Sequence, residues 1–339
     1  MSDSTNGSMK AWRVGELGEP AKVMELVEVP APQPGPGQLV VRVLASPANF
    51  PDALMCRGLY QVRPELPFTP GVELCGEVLE VGGDVEGFAV GERVLGAGIL
   101  PYGGFGELAL MDAATTFPAP RSLDDAQAAS LYIGYQTGWF GLHRRAHLQA
   151  GETLLVHAAA GGVGSAAIQL GKAAGARVIG VVGGPDKAAV ARELGADVVV
   201  DRHEQDFVDV VKAETRGRGA DVIYDPVGGE TYQRSTKCIA FEGRILVIGF
   251  AGGDIQSAPL NHALIKNYSI VGLHWGLYNL YDPPAVQECH RALTDLADRG
   301  LIAPLVSERL GLADVAAGVQ RLADGVTVGR VVYDAAVDR

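Results

Sequence analysis

The 339-residue sequence has little cysteine, little positive charge and no long apolar run. Its four cysteines form no CxxC pair, so nothing points to a disulfide scaffold or a structural zinc site. Lys and Arg number 28 against 40 Asp and Glu, and the net charge of −12 disfavours nucleic acid and anionic membranes as partners. No run approaches the ~20 apolar residues that span a bilayer. These absences predict a cytoplasmic protein that binds neither nucleic acid nor a membrane.

What the sequence does have is enough length and apolar content, 47%, for two domains with large cores. Residues 1–8 are expected to be a disordered leader. From Met9 to about Phe117, short β-rich runs such as 38–45 and 72–82 alternate with prolines and single glycines. This texture predicts an antiparallel, barrel-like region.

From about Thr153 the pattern changes to fully apolar runs that alternate with helical stretches. Crossover helices bury both faces of a parallel sheet, so such runs predict a doubly wound α/β domain. The terminal strand 329–334 cannot satisfy its hydrogen bonds alone, and we expect it to return to the sheet of the first domain.

A glycine-rich turn separates the apolar run 153–158 from the helical stretch that follows it. The turn contains Gly161, Gly162, Val163 and Gly164. Glycines let the backbone turn tightly and approach a pyrophosphate at the helix N-terminus. Although the spacing is not a strict GxGxxG, its strand–turn–helix context predicts a dinucleotide site; the alternative is a turn that serves packing alone.

The end of the next strand indicates which nucleotide binds. NAD sites commonly place an acidic residue there, but this strand ends in Gly183 and Gly184. Lys187 follows in the next turn, and Arg202 follows the strand after it. Two cations without a carboxylate favour a 2′-phosphate and therefore NADPH; the alternative is that both are ordinary surface charges.

Several segments resemble the medium-chain dehydrogenase/reductase superfamily, and within it the zinc-free quinone oxidoreductase branch. They are 48–61, 66–78, 135–139, 157–176 and 263–276. The resemblance covers nearly the whole chain. It implies a GroES-like substrate domain formed by residues 9–132 and 275–339, a Rossmann domain over 133–274, and NADPH in a cleft.

The resemblance also bears on metal. Zinc-dependent members carry a cysteine where this chain has Asn49 and a histidine where it has Val72. The cysteine-rich loop that holds a structural zinc is absent as well. Without imidazole or thiolate ligands no tetrahedral site is expected, and we predict no metal.

The same resemblance implies further cofactor contacts from residues outside the glycine-rich turn. They are Asn49, Thr137, Gly249, Phe250, Ala251, His274, Trp275 and Arg330. Asn49 is similar to a family asparagine near the nicotinamide; the alternative is an Asn that stabilises the turn before Phe50 and Pro51.

Tyr60, in Gly58-Leu59-Tyr60, matches a tyrosine that donates a proton in related enoyl-thioester reductases. Hydride addition to an activated alkene leaves an enolate, which needs hydrogen-bond donors and then a proton. Tyr60 and Asn49 are therefore the candidate catalytic residues. The alternative for Tyr60 is an aromatic wall of the substrate pocket.

Together these features predict a zinc-independent, NADPH-dependent reductase that transfers hydride to a small molecule, a quinone or an α,β-unsaturated carbonyl. The alternatives are an enoyl-thioester reductase and a non-catalytic NADPH-binding redox sensor. Gly134 stands where enoyl-thioester reductases have an asparagine, which weakens the first alternative. The apolar run 269–276 is expected to end the parallel sheet, and pairing of that edge predicts a homodimer.

Overall fold

The computed structural model describes residues 7–338, which form two compact units. Residues up to Ile133 join those from Ala303 in the first unit, and Gly134–Ile302 form the second. The segment 275–302 was expected in the first domain but lies in the second unit. The reason is that the chain returns to a strand of the first unit only at Val306. Of the expected leader, residues 1–6 lie outside the described residues, and Ser8 already begins a strand.

The N-terminal part of the first unit is built mainly from strands. Its elements are β1 (Ser8–Val14), α1 (Pro20–Val23), β2 (Met24–Pro30), β3 (Gln38–Pro47), α2 (Phe50–Cys56), β4 (Leu74–Val81), β5 (Arg93–Gly98), β6 (Leu108–Pro118) and α3 (Asp125–Ala129). Helix α4 (Tyr132–Trp139) follows and continues as a π-helical turn, Phe140–Arg145.

The second unit alternates strands and helices. Its elements are β7 (Thr153–Val156), α5 (Gly162–Ala173), β8 (Arg177–Val182), α6 (Pro185–Glu193), β9 (Val198–Asp201), α7 (Phe207–Glu214), β10 (Ala220–Asp225), α8 (Gly229–Ser235), β11 (Ile239–Val247), α9 (Leu260–Lys266), β12 (Ser269–Gly272), a 3-10 turn (Trp275–Leu277), α10 (Tyr278–Tyr281) and α11 (Pro283–Asp298). The chain then re-enters the first unit with β13 (Val306–Leu310), a 3-10 turn (Leu312–Asp314), α12 (Val315–Ala323) and β14 (Arg330–Asp334).

The main sheet of the first unit has the order β13-β14-β3-β4-β5-β6, and β6 also pairs with β3. Strands β3 to β6 are antiparallel and close into a barrel. Its interior holds Leu39, Phe68, Leu74 and Met111, all completely buried. Strand β14 pairs with β3, so the terminal strand does return to the first sheet.

The sheet of the second unit has the order β12-β11-β10-β7-β8-β9, and its strands run parallel. Strand order reverses between β7 and β10, which is where doubly wound sheets open a crevice for ligands. Apolar residues from neighbouring strands, among them Leu155, Ile179, Ile223 and Ile245, form one buried cluster. The GroES-like and Rossmann architectures expected from the sequence are both present.

One polar side chain, His157, lies inside this core just beyond β7. Its Nε2 is 2.8 Å from Ser235 Oγ, and its ring meets Phe207 edge to face with the centroids 4.8 Å apart. Burial lowers the pKa of His157 to about 3. The folded protein therefore keeps a neutral imidazole here at any physiological pH.

We expect the free energy of unfolding to decrease as the pH falls below 6.5, the ordinary histidine value. Between this value and the lowered pKa of the folded state, the unfolded chain binds a proton at His157 that the folded chain does not. The free energy of unfolding therefore falls by about 1.4 kcal/mol for each unit by which the pH decreases in this window. His157→Gln does not titrate, so urea unfolding at neutral pH and at about pH 5 should show a smaller loss than in the unmodified protein. The exposed His203→Gln is the control, and equal losses in all three proteins would contradict the assignment.

Candidate active site

The expected cofactor residues of the second unit mostly follow the last residues of parallel strands. Gly161, Gly162, Val163 and Gly164 come after β7, Gly183 after β8, Arg202 after β9, Gly249, Phe250 and Ala251 after β11, and His274 and Trp275 after β12. Since the carboxyl ends of parallel strands share one edge, these segments lie along one edge of the sheet, and that edge is where open α/β sheets bind ligands.

The glycine-rich turn after β7 is shaped by close backbone contacts. A Cβ at Gly164 would lie 2.2 Å from the carbonyl oxygen of Ala158, so a side chain is excluded there. Gly161 is the N-cap of α5, and Gly162 and Val163 open the helix. The first N–H groups of a helix have no partner within it and suit a phosphate. The turn therefore fits a pyrophosphate.

Two cations lie in the segments that follow β8 and β9. The guanidinium of Arg202 lies against Gly183, where a Cβ would be 3.2 Å from Cζ of the arginine. Lys187 is in the first turn of α6. Arg202 is exposed and Lys187 is half-buried. The small residue at the end of β8 thus leaves room for a cationic group beside it.

A carboxylate that sequence reasoning missed also lies at this edge. Asp201 Oδ1 accepts hydrogen bonds from the backbone N–H of Gly184, at 2.9 Å, and of His203, at 3.1 Å. These backbone donors lower the pKa of Asp201. The carboxylate therefore closes the turn that follows β8. Its position at the end of β9, one strand away from the usual NAD-selective acid, is why the sequence did not single it out.

The loop after β11 is tied to the loop after β10. The Ala251 N–H donates to the carbonyl of Pro226 at 3.0 Å, and Asp225 Oδ1 accepts from Val227 N, at 2.9 Å, and Gly228 N, at 3.0 Å. The amide of Ala251 is thus committed to the protein. Phe250 remains partly exposed.

Thr137 lies on a buried face of α4. Gly141, one helical turn later, approaches the ring of Tyr224 and the side chain of Leu273, where a Cβ would be 3.4 Å from each. Gly141 belongs to the π-helical turn that continues α4, so this turn packs against the carboxyl ends of β10 and β12. His274 lies after β12 and lines an open cavity of about 370 Å³.

A larger cavity, of about 580 Å³, lies away from these residues. Its lining includes Glu152 and Asp221, near the amino ends of β7 and β10. Arg244 donates to both carboxylate oxygens of Glu152 at 2.8 Å, and this ion pair neutralises the Glu152 charge at the cavity wall. The cavity belongs to the edge of the sheet opposite the glycine-rich turn and is not the candidate site.

In the first unit, Asn49 is part of a buried polar cluster. Its Nδ2 donates to Glu73 Oε1 at 2.9 Å and to the Pro47 carbonyl at 3.1 Å, while its Oδ1 accepts from Arg330 Nη1 at 2.8 Å. Arg330 Nη2 also forms an ion pair with Glu73. Glu73 Oε2 accepts from the Ile133 N–H at 2.6 Å. The cluster joins four segments that are far apart in the sequence.

This geometry limits what the Asn49 amide can do. A carboxamide has two N–H donors and two acceptor lone pairs. Both donors of Asn49 are used, and its Oδ1 already accepts from Arg330. Asn49 therefore has no free N–H to donate to a developing oxyanion.

Arg330, which was expected at a cofactor, is joined to this buried cluster. Its guanidinium points into the protein and is bonded to Glu73 and Asn49. Burial raises the pKa of Glu73, and the arginine charge opposes that rise. An unpaired buried carboxylate would cost free energy, and the guanidinium of Arg330 is therefore held beside the carboxylate of Glu73. Sequence reasoning missed Glu73, whose partner is 257 residues away.

Asp52 fixes the start of α2. Its Oδ2 accepts from the Asn49 N–H at 2.8 Å, and its Oδ1 accepts from Gly71 N, at 2.8 Å, and Val72 N, at 3.2 Å. Burial raises the pKa of Asp52 to about 7. This residue was also missed, although the Asn-x-x-Asp spacing of 49–52 is a capping-box pattern that signals it.

Tyr60 lies beyond α2, half-buried against the core of the first unit. Burial and the Asp52 charge raise the pKa of the phenol, which therefore stays protonated at neutral pH. Within residues 7–338 its hydroxyl has no hydrogen-bond partner, and it remains a free donor. The structure thus joins Asn49 and Arg330 directly, and it places Tyr60 close enough to Asp52 for the two groups to interact.

Residues 7–338 contain neither a cluster of metal-ligating side chains nor a helix that could span a membrane. No three His, Cys, Asp or Glu side chains there are grouped so that they could hold a metal ion. No helix in the same range is long and apolar enough to cross a bilayer.

The two units match known families separately. The model for the alcohol dehydrogenase GroES-like domain matches residues 35–121, and the model for zinc-binding dehydrogenases matches 162–291. The chain is 38% identical over 329 residues to a quinone oxidoreductase-like protein 2 homolog of Nematostella vectensis, covering 96% of this chain and 89% of that protein.

Solved structures agree with these matches. A quinone oxidoreductase of Pseudomonas syringae pv. tomato DC3000 is 33% identical with a TM-score of 0.88, covering 96% of this chain and 99% of that one. Mycobacterial Rv1454c, solved in complex with NADPH, is 31% identical with a TM-score of 0.88, covering 96% and 100%. With its GroES-like unit and its nucleotide-binding Rossmann unit, the chain belongs to the quinone oxidoreductase branch of the medium-chain dehydrogenase/reductase superfamily and is an oxidoreductase.

Proposed function

We propose that this protein is an NADPH-dependent, zinc-independent reductase of quinones and α,β-unsaturated carbonyls. The observation that carries the proposal is the division of roles between Asn49 and Tyr60. Both N–H groups of the Asn49 amide are committed within the protein, whereas the Tyr60 hydroxyl is a free donor held in its protonated form.

NADPH supplies a hydride, and the residues of the chain must then manage the charge that the acceptor gains. A reduced quinone is a phenolate that solvent protonates readily. An enolate is more basic and gains from a positioned acid. Tyr60 is proposed as that acid, and Asn49 as a residue that positions the nicotinamide.

The cofactor residues of the second unit are proposed from the edge on which they lie. The turn from Gly161 to Gly164 would hold the pyrophosphate, and Arg202 and Lys187 would pair with the 2′-phosphate. Asp201 is compatible with this choice, because its Oδ1 is used by the backbone N–H of Gly184 in the turn after β8. The NADPH bound by Rv1454c is consistent with it.

Replacing Lys187 and Arg202 together by Ala should remove most of a preference for NADPH over NADH. Each charge-assisted phosphate contact contributes about 1.5–3 kcal/mol, or one to two decades in affinity. Titration of both nucleotides by fluorescence measures the effect. The matched control is Lys237→Ala with Arg291→Ala, which removes the same charge elsewhere. Equal affinity of the unmodified protein for the two nucleotides would disprove the assignment.

Tyr60→Phe should lower turnover of enones by about 10²–10⁴-fold and of quinones much less, since only the enolate needs the acid. NADPH oxidation is followed with each substrate class in the presence of a chelator, which should not reduce activity. Absence of turnover with both classes would contradict the proposed function itself.

Asn49→Ala is the companion variant in the same assay. A residue that positions the nicotinamide should affect quinones and enones alike. If Tyr60→Phe also lowers both classes equally and mildly, the tyrosine is a pocket wall and water supplies the proton.

A homodimer is proposed from the edge strand β12, which among residues 7–338 pairs only with β11. Beside it in sequence, α9 has no buried residue, and Leu260, Leu264 and Ile265 are exposed. A second copy that pairs with this edge would cover both features. Sedimentation should give twice the 35.5 kDa of one chain, and Leu264→Glu with Ile265→Glu should yield monomer. A monomeric unmodified protein would refute the proposal.

A further inference from the structure

The side chain of Asn49 is held in one orientation by its neighbours. The oxygen and the nitrogen of a carboxamide are nearly equal in size, so shape alone does not decide which way the group points. Its hydrogen-bond partners decide instead. Asn49 Nδ2 donates to Glu73 Oε1 at 2.9 Å and to the Pro47 carbonyl at 3.1 Å, and Asn49 Oδ1 accepts from Arg330 Nη1 at 2.8 Å.

All three partners favour the same orientation. If the amide were reversed, its oxygen would face Glu73 and the Pro47 carbonyl, and its NH₂ group would face the guanidinium of Arg330. Three hydrogen bonds would be replaced by three repulsive contacts. Asn49 is only 4% exposed, Arg330 6% and Glu73 0%, so water cannot replace the lost partners. The Glu73–Arg330 ion pair and Pro47 therefore fix the orientation of the amide.

The backbones that carry this cluster are fixed as well. Strand β14 begins with Arg330, and the carbonyl of Val331, the next residue, accepts from the Ala48 N–H at 2.9 Å. The Glu73 carbonyl accepts from Ser46 Oγ at 2.8 Å. A functional group has to be held within about 0.5 Å of its productive position, and neighbours that are themselves fixed can hold it there.

Arg330 suits this arrangement because its guanidinium is a planar fork. Nη1 donates to Asn49, while Nη2 forms the ion pair with Glu73. A lysine carries the same charge on one compact ammonium group, without a fork that reaches two acceptors at fixed positions. A positive charge alone would therefore balance Glu73, but the orientation of Asn49 depends on the fork.

We propose that Glu73 and Arg330 are positioning residues of the reductase: they fix the Asn49 carboxamide, and through it the nicotinamide from which hydride is transferred. This inference rests on the proposed function, which gives Asn49 the role of positioning the nicotinamide. Glu73 and Arg330 act on the cofactor only through Asn49. They set the rate of hydride transfer, whereas the affinity for NADPH comes from the phosphate contacts of the second unit.

Arg330→Lys is the test, because it keeps the charge that balances Glu73 and removes the fork. Turnover of a quinone and of an enone should both fall about 10–100-fold, since a misplacement of about 1 Å can cost that much. The Kd of NADPH, measured by fluorescence titration, should change by less than about twofold, because the phosphate contacts remain.

The matched control is Arg309→Lys. Arg309 also reaches two acceptors through its fork, Asp334 and Asp124, each at 2.6 Å, and Asp334 lies at the opposite end of β14 from Arg330. This variant should keep both the turnover and the NADPH affinity of the unmodified protein. A loss of turnover that Arg309→Lys shares would overturn the proposal.

A double-mutant cycle shows whether Arg330 acts through Asn49. In an Asn49→Ala background, Arg330→Lys should cause no further loss of turnover, because the group that it positions is already gone. Additive losses would overturn the proposal, and so would full turnover by folded Arg330→Lys or a loss of NADPH binding equal to the loss of turnover. If the unmodified protein reduces neither substrate class, it is the proposed function that fails.

Glu73→Gln with Arg330→Met is a second test that leaves no unpaired charge in the core. Replacing both members of a buried ion pair costs far less stability than removing one of them. The glutamine can still accept from Asn49 Nδ2, but the methionine has no group to donate to Oδ1. We expect the same loss of turnover at unchanged NADPH affinity, and full turnover by this folded double variant would overturn the proposal.

Discussion

The first unit depends on a carboxylate that has been taken out of water. Glu73 is completely buried, and its two oxygens accept hydrogen bonds from Asn49, Arg330 and Ile133. Removing one partner of a buried ion pair costs about 3–5 kcal/mol, a large part of a domain's net stability. The ion pair must therefore stay complete. Its hydrogen bonds hold together four segments of the first unit: the start of α2, the residue before β4, the first turn of α4 and the start of β14.

The second unit is constrained in a different way, by the absence of side chains. Its glycine-rich turn closes only because residue 164 has no Cβ to meet the Ala158 carbonyl, and Arg202 lies where a side chain at Gly183 would be crowded. The close backbone approach leaves the first N–H groups of α5 without a partner in the helix. The cation beside Gly183 is Arg202, which follows the neighbouring strand β9. Binding capacity here follows from backbone shape, in contrast to the charge pairing of the first unit.

Local patterns in the sequence were sufficient for the features that depend on short stretches of chain. The fully apolar runs from Thr153 onward predicted the parallel sheet, and the unpaired run 329–334 predicted a strand returning to the first sheet. Features that depend on distant partners were not predictable. The ion pair of Arg330 with Glu73 could not be foreseen, because nothing near Arg330 in the sequence points to Glu73, and the second unit continues to Ile302 because the chain pairs with the first sheet again only at Val306.

Charge in the first unit also bears on which acceptors fit. Arg330 balances Glu73, Asn49 is neutral, and Asp52, with its pKa near 7, contributes no positive charge. Among the described residues of this cluster, no uncommitted cation remains to stabilise an oxyanion that is localised on one atom. A simple ketone would place its full negative charge on a single oxygen. Quinones and enones, the acceptors that we propose, delocalise that charge over their own conjugated systems, so a single neutral donor, the role proposed for Tyr60, would be enough.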